Sequence, residues 1–447
     1  MEKLFSLLSA ESALHHATIN LIKLEKEIEE MSKKQKIYPW LMIVTTGLLC
    51  GVVSGVFTQV MGLFLTPLAN SIGGGKLGSV SYYYTVLILA TAVGTTLVGK
   101  FIHKVNVSLI LLGAIVVTAA STWLFSMANN VMAFYVLAAV VGICCGFSGY
   151  VVQGVVINNW FVKRKNFAFT AGAFFNTIFL AIITPVASQI IQSNGWRRAF
   201  IILAIIMLVV GVPCSLFTKV EPAKLNLLPY GVSSQAELDQ VNNDSEEEES
   251  NNSSTGKVLL SVSFVLVLIF FCFNEFAGNM TSLWPSFAEG VGFGANVGGL
   301  IATIITVADL IMTPLFGVTS DHFGGRKALP WWLFLTILAP VLMIIANQTR
   351  LIPLALIAAV PADAISVIMG SGEQIFAKDI LGKDFDAGYS YASSITYVVS
   401  AFATPVLSNI ADATHNWNIV VGIVAICEVI VLFAVIIGEK RADKLAK

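Results

Sequence analysis

Charge is scarce in this sequence. Of its 447 residues only 12% are Asp, Glu, Lys or Arg and 56% are hydrophobic, whereas a soluble domain carries about 25% charge. A water-soluble core has no use for so much apolar surface, and a formal net charge of −1 offers no basic field for nucleic acid. Cysteine is equally sparing. Cys50, Cys144, Cys145, Cys214, Cys272 and Cys427 all lie inside apolar runs, which implies gap-filling and no disulfide framework. The five histidines stand outside the cores of those runs, and neither an HExxH sequence nor a P-loop occurs. Enzymatic, metal-dependent and ATP-driven chemistry therefore have no residues to rest on, and no cofactor or metal is expected. Filter loops and rings of charge that would announce a channel are missing as well.

What the sequence has in abundance is long apolar runs. A helix needs about 20 apolar residues to cross the hydrocarbon. Twelve such spans are predicted, at 39–65, 80–98, 105–126, 132–153, 167–191, 199–217, 258–282, 297–319, 328–346, 351–375, 389–411 and 417–438. The expectation is an all-α membrane protein with both termini on one side. Lys and Arg are retained on the cytoplasmic side of a membrane. With the N-terminus inside, all but Lys76, Arg197, Arg198 and Arg350 of the 26 basic residues fall there, and none lies within a span. A multi-pass protein of the inner membrane with cytoplasmic termini follows. Trp40, Trp160, Trp331 and Trp332 are expected at the inner interface, and Trp123, Trp196, Trp284 and Trp417 at the outer, as an aromatic belt.

The chain divides in its middle. The run Asp244-Ser245-Glu246-Glu247-Glu248-Glu249-Ser250 is too polar to pack and reads as a solvated tether. The predicted organisation is a cytoplasmic segment at 1–36, a six-helix bundle at 37–218, an acidic cytoplasmic linker at 219–257, a second bundle at 258–438 and a tail at 439–447. The bundles repeat one another. A shift of 218 positions brings Pro67 onto Pro285 and Gly99 onto Gly317, and one of 220 brings Thr184-Pro185-Val186 onto Thr404-Pro405-Val406. Because six is even, the copies share one orientation and are related by an axis along the membrane normal, with a cavity between them near the midplane.

Smaller features refine this picture. Gly47, Gly51 and Gly55, and Gly142 with Gly146, recur every four residues and give smooth faces for close helix approach. Pro185 and Pro405 are expected to bend spans five and eleven. Leu14, Ala17, Leu21, Leu24, Ile28 and Met31 form a short heptad-like stripe ahead of the first span. Met31-Ser32-Lys33-Lys34 looks like an ordinary start to a membrane carrier, so a chain beginning at Met31 is expected to insert and transport.

Loop motifs carry a family resemblance. Gly317-Val318-Thr319-Ser320-Asp321-His322-Phe323-Gly324-Gly325-Arg326-Lys327 resembles the signature loop of the major facilitator superfamily; its first-half counterpart, Gly99-Lys100-Phe101-Ile102-His103-Lys104, is degenerate and lacks the acidic residue. Asn159-Trp160-Phe161, Lys163-Arg164-Lys165, Gly195-Trp196-Arg197 and Leu228-Pro229-Tyr230-Gly231 resemble the monocarboxylate and oxalate:formate antiporter branch. The likeness implies the major facilitator fold of two pseudo-symmetric six-helix bundles and secondary transport by alternating access in a monomer. It also implies a cavity lined by spans one, four, seven and ten, with span twelve peripheral. Asp321 and Arg326 would then latch neighbouring helix ends in one conformation. As a bare surface pair they would be worth only about 0 to 1 kcal/mol.

Acidic residues are absent from Met31 to Val220, so the intramembrane acids all belong to the second half: Glu275, Asp309, Asp363 and Glu428. Glu373, near the inner end of span ten, is expected to reach the interface. A charge at bilayer depth costs at least about 2.5 to 3.5 kcal/mol and by default faces a cavity or a partner. A desolvated carboxyl with no cationic partner can load and release a proton. Proton coupling is accordingly expected at Glu275 and Asp363, with Asp309 third, while Glu428 on the peripheral span reads as structural. The alternative for each acid is a static carboxyl bonded to Asn274, Asn279, Thr306 or Ser366.

The substrate is read from what replaces the expected basic groups. The oxalate:formate branch is expected to carry them in spans eight and eleven, where this chain has Asp309 and then Tyr389, Tyr391, Ser393, Ser394, Thr396 and Tyr397. A dicarboxylate fits poorly. A monocarboxylate-type organic acid moving with a proton is favoured, with a neutral solute or an organic cation or drug exchanged for protons as the alternatives, and a transporter-like membrane sensor as the reading from another class. Substrate-binding candidates are Gln59, Tyr150, Gln153 and Asn176 in the first half and Asn279, Tyr389, Tyr391 and Tyr397 in the second. The expected partners are a small-molecule solute, protons and the lipid bilayer.

Overall fold

The computed structural model describes residues 35–101, 106–232, 237, 259 and 261–445. The N-terminal stripe, His103 and Lys104, and the acidic run 244–250 lie outside the described residues. Among those described, twelve helices are long and apolar enough to cross a membrane. They are α1 (Gln35–Ser71), α2 (Leu77–Val98), α3 (Val107–Phe125), α4 (Val131–Trp160), α5 (Phe167–Asn194), α6 (Trp196–Phe217), α7 (Val262–Gly290), α8 (Ala295–Phe323), α9 (Gly325–Thr349), α10 (Ile352–Leu381), α11 (Ala387–Thr414) and α12 (Trp417–Arg441). Every predicted span is present. Caps, rather than hydropathy, set several of their starts: the Asn106, Asn130 and Ser261 side chains accept from the amides of Ser108, Ala133 and Phe264 at the heads of α3, α4 and α7.

Twelve crossings put α1's start and α12's end on one face of the bundle, called here the terminal face; the other is the far face. Within the halves, α2 packs on α4, α3 on α6, and α7 and α9 on α12. The halves meet through α2 with α11 and through α5 with α8. Exchanging the halves turns α2 into α8 and α11 into α5, so the two seams are one contact made twice, as the repeats require. Glycine makes the close approaches possible. A Cβ at Gly146 of α4 would collide with the backbone of Gly94 and Thr95 on α2, and one at Gly51 or Gly55 would crowd Asn176 on α5.

Four helices are interrupted, and they are α1, α4, α7 and α10. In α1 a π-helical stretch at Gly51–Gly55 is followed by a 3-10 stretch at Val60–Phe64. A 3-10 stretch at Asn279–Leu283 divides α7, and Gly149, with φ −87° and ψ −150°, breaks α4. In α10 a short turn at Ala364–Val367 leads into a π-helical stretch at Ile368–Gly372. Irregular backbone at membrane depth is stable only where protein or a cavity satisfies the freed polar groups. These are the four spans expected to line the cavity. By contrast α5 and α11 run through Pro185 and Pro405 as unbroken α-helices.

Two features depart from a simple hydropathy picture. Trp160, Trp196, Trp284 and Trp332 are buried within the protein, while Trp40, Trp123 and Trp331 are exposed. The indole N–H explains part of this: Trp160 donates to the Lys219 carbonyl at 2.7 Å and Trp332 to the Thr319 hydroxyl at 3.0 Å, so each ring is buried with its donor satisfied. The second feature is the chain after α6. Tyr230 bridges to Phe161, its amide donating to the Trp160 carbonyl at 2.7 Å while the Val162 amide donates to the Tyr230 carbonyl at 3.0 Å. Gln35 binds Leu228 through both amide atoms. Two motifs noted separately in the sequence, around Trp160 and Tyr230, thus form one unit that folds the first residues of the interbundle segment onto the first half.

Candidate functional site

The interrupted helices bring polar side chains to mid-depth. Gln59 from the break in α1, Thr184 from α5, Thr281 from the 3-10 stretch of α7, Thr306 and Asp309 from α8, and Asp363 and Ser366 from α10 line a cavity of about 30 Å³ between the halves, closed by Ala302 and Ile305. That is room for one or two waters and not for a solute. No Lys or Arg is among the lining residues.

The two acids are held differently. Asp363 sits where α10 breaks, between Ile352–Ala362 and Ala364–Val367; it is 1% exposed, and its Oδ2 has no hydrogen-bond partner. Asp309 is half-buried and accepts from the Thr177 hydroxyl of α5 at 2.8 Å and from the Thr313 hydroxyl at 2.6 Å. Of the partners named for a static acid, Thr306 and Ser366 share this cavity, but the hydrogen bonds of Asp309 go to Thr177 and Thr313. Asp309 and Asp363 are close enough to act on each other electrostatically.

A second pair lies toward the terminal face. Glu275 of α7 and Glu373 of α10 are within electrostatic reach of each other. Glu373 is 6% exposed and accepts from the Asn274 amide at 3.2 Å, which corrects the expectation that it reaches the interface. The π-helical turn just before it rotates its side chain inward against α7. Asn279 ties this region to α11, donating to the Ser400 hydroxyl at 3.1 Å and accepting from Thr404 at 3.0 Å. Glu428 lies elsewhere, fully buried on α12 and bonded to Thr336 of α9.

Of the remaining candidates, Asn176 donates to the Tyr150 hydroxyl at 3.2 Å, joining α5 to α4. Gln153 is buried behind them, accepting from the Cys50 thiol at 3.3 Å and packed on Gly172; it bridges helices and does not line the cavity. Tyr389 packs between Phe271 and Phe385. Tyr150 and Tyr397 sit on opposite halves within electrostatic reach, and both have exposed surface, as does Tyr391.

The far face is closed by hydrogen bonds across the seams. The Asp412 carboxylate at the end of α11 accepts from the Leu77 and Gly78 amides, at 3.1 and 2.7 Å, at the start of α2. Ser81 meets Ser408 at 2.7 Å, Thr85 donates to the Ala401 carbonyl at 2.6 Å, and Thr66 to Ser286 at 2.9 Å. At the terminal face, Arg326 pairs with Asp379 at the end of α10, in a cleft that Asp321 and Lys378 also line. Asp379, Asp412 and Thr177 were not singled out in the sequence. Asp379 and Asp412 resemble ordinary loop-end acids there, and Thr177 is one hydroxyl among many.

Comparison with known proteins agrees with this architecture. Residues 47–277 and 264–447 match the Major Facilitator Superfamily, and the chain belongs to that family of membrane transporters and not to an enzyme family. It is similar to a sialic acid transporter of Escherichia coli, 26% identical over 281 residues, covering 61% of this chain and 64% of that protein. It is also similar to an uncharacterised major facilitator-type transporter of Bacillus subtilis, 24% identical over 163 residues, covering 36% and 39%. The chain thus spans less than two thirds of the length of either relative. Among solved structures, the xylose transporter of Escherichia coli in a partially occluded inward-open conformation superposes with TM-score 0.68 at 15% identity, over 89% of this chain and 98% of that one. A nucleoside transporter superposes with TM-score 0.66 at 11% identity, over 90% and 99%.

Proposed function

We propose that this protein is a secondary active transporter that moves a small organic solute across the cytoplasmic membrane by alternating access, coupled to protons carried by Asp363 and Asp309, with Glu275 nearer the terminal face. The observation that carries this reading is that Asp309 and Asp363 face one cavity at the seam between the halves with no cation among its lining. Two carboxylates so placed cannot both stay charged at little cost, and a proton relieves them. The basic residues put the terminal face in the cytoplasm. With the far face held shut, the arrangement is then closed toward the outside.

A monocarboxylate-type organic acid is the favoured solute. An anion is repelled by bare carboxylates and binds well only when they are protonated, which makes symport the natural coupling. Kinship with a sialic acid transporter supports an acidic solute. Exchange of an organic cation for protons is the second reading, favoured by the same absence of lining cations, since a cation can take the proton's place. Uptake by purified protein in proteoliposomes under an imposed pH gradient decides between them. Accumulation of an organic acid toward the alkaline side supports symport, and movement of a cation against the proton flow supports exchange. No movement of any solute class at any gradient refutes transport and leaves the sensor reading.

A further inference from the structure

We infer that Thr177 is a positioning residue for coupling: its hydroxyl on one half of the protein reads the charge on Asp309 of the other. The inference rests on the proposed proton site at Asp309 and goes beyond it, because it names how protonation reaches the seam.

The geometry is that of a two-way donor. Thr177 lies on α5, Asp309 on α8, and these two helices form one of the seams between halves. The Thr177 hydroxyl is 2.8 Å from Asp309 Oδ2 and 3.2 Å from the Ala173 carbonyl of its own helix. A hydroxyl has one proton to donate. While Asp309 is ionised the shorter, charge-assisted bond wins and pins α5 to α8. Once Asp309 is protonated that bond loses its charge assistance, and the hydroxyl turns back to Ala173 with no donor left unsatisfied. The cost of an orphaned buried donor, which would otherwise oppose release, is thereby removed.

Among the described groups around Asp309, Thr177 is the one that hydrogen-bonds to it across the seam. Asp363 on α10 shares the cavity, and Tyr150 on α4 is within electrostatic reach. α5 brings no titratable side chain, nor does the Val60–Phe64 stretch of α1. Arg326 and Lys327 of α9 lie at the terminal face and Glu289 of α7 near the far one.

Hydrogen–deuterium exchange of the full-length protein in lipid nanodiscs tests this without a known solute, using the amides at the start of α8, where that helix meets Ser188 and Gln192 of α5, corrected for intrinsic pH dependence. In the wild type, acidification should lower their protection about ten-fold, the loss of one charge-assisted bond across the seam. Thr177→Val should give reduced protection that no longer varies with pH, and Thr177→Ser should restore the response; Thr177→Ala replaces the valine variant if that fails to fold. A wild-type pH response in Thr177→Val, with Asp309→Asn flat, overturns the inference and leaves the proton site standing. A wild-type response in Asp309→Asn instead overturns the proton site itself. Failure of serine to restore what valine removes marks a packing role for Thr177 and also overturns the inference.

Discussion

Replacing Asp412 by Ala should loosen the far face. Its carboxylate accepts two backbone amides at the head of α2, those of Leu77 and Gly78, which have no partner within their own helix. The carboxylate also meets the positive end of a helix of 22 residues, Leu77–Val98. For a half-buried carboxylate at a helix N-terminus such an interaction is worth about 1 to 2 kcal/mol, so its loss should raise the population with the far face open about five- to thirty-fold. Ser408 reports that opening, because it is fully buried against Ser81 at the same seam. In a Ser408→Cys background, alkylation by a membrane-impermeant maleimide should speed up by that factor on adding Asp412→Ala. Asp412→Asn, which keeps one acceptor oxygen, should fall between. An alkylation rate unchanged within two-fold, in protein that still elutes as a folded monodisperse species, would refute the argument that this carboxylate holds the seam.

Three further outcomes are expected. Asp363→Asn or Glu275→Gln should abolish accumulation driven by a pH gradient while solute exchange at equal pH survives, since the amide keeps the shape but does not ionise; wild-type accumulation in both across the pH range would move coupling elsewhere. Gly146→Leu should impair folding far more than Gly113→Leu, because Gly146 faces the backbone of α2 whereas nothing lies within 4 Å of a Cβ at Gly113, and matched melting temperatures in detergent would count against the close α2–α4 contact. In a version lacking native cysteines, a cysteine at Ser245 should label only from the cytoplasm and one at Asn194 only from outside, and the reverse pattern would invert the proposed orientation.

The candidate site was partly legible in the sequence. Asp363 could be found from charge alone, because an acid at bilayer depth with no basic residue nearby has few uses. The sequence favours Glu275 and Asp363 together and places Asp309 third, whereas the cavity joins Asp309 to Asp363 and leaves Glu275 paired with Glu373. That ranking depended on which way each helix is rotated. The weak repeat implied two copies related by an axis along the membrane normal, and the equivalence of the α2–α11 and α5–α8 contacts is consistent with that.

By itself the sequence determined the number of spans and the all-helical class of the fold. Those properties are local: hydropathy and charge act on a helix as it enters the bilayer, whatever its neighbours are. The sequence also marked Gly51, Gly55, Gly142 and Gly146 as points of close approach, since the lack of a Cβ has the same meaning in any packing. Only the tertiary structure decided that Glu373 turns inward at a π-helical stretch, that Asp412 closes the seam on the backbone of α2, and that Thr177 stands 2.8 Å from Asp309. Each joins residues far apart in the chain whose meeting depends on helix rotation, register and the breaks in α1, α4, α7 and α10. Side-chain chemistry alone does not encode those quantities one residue at a time.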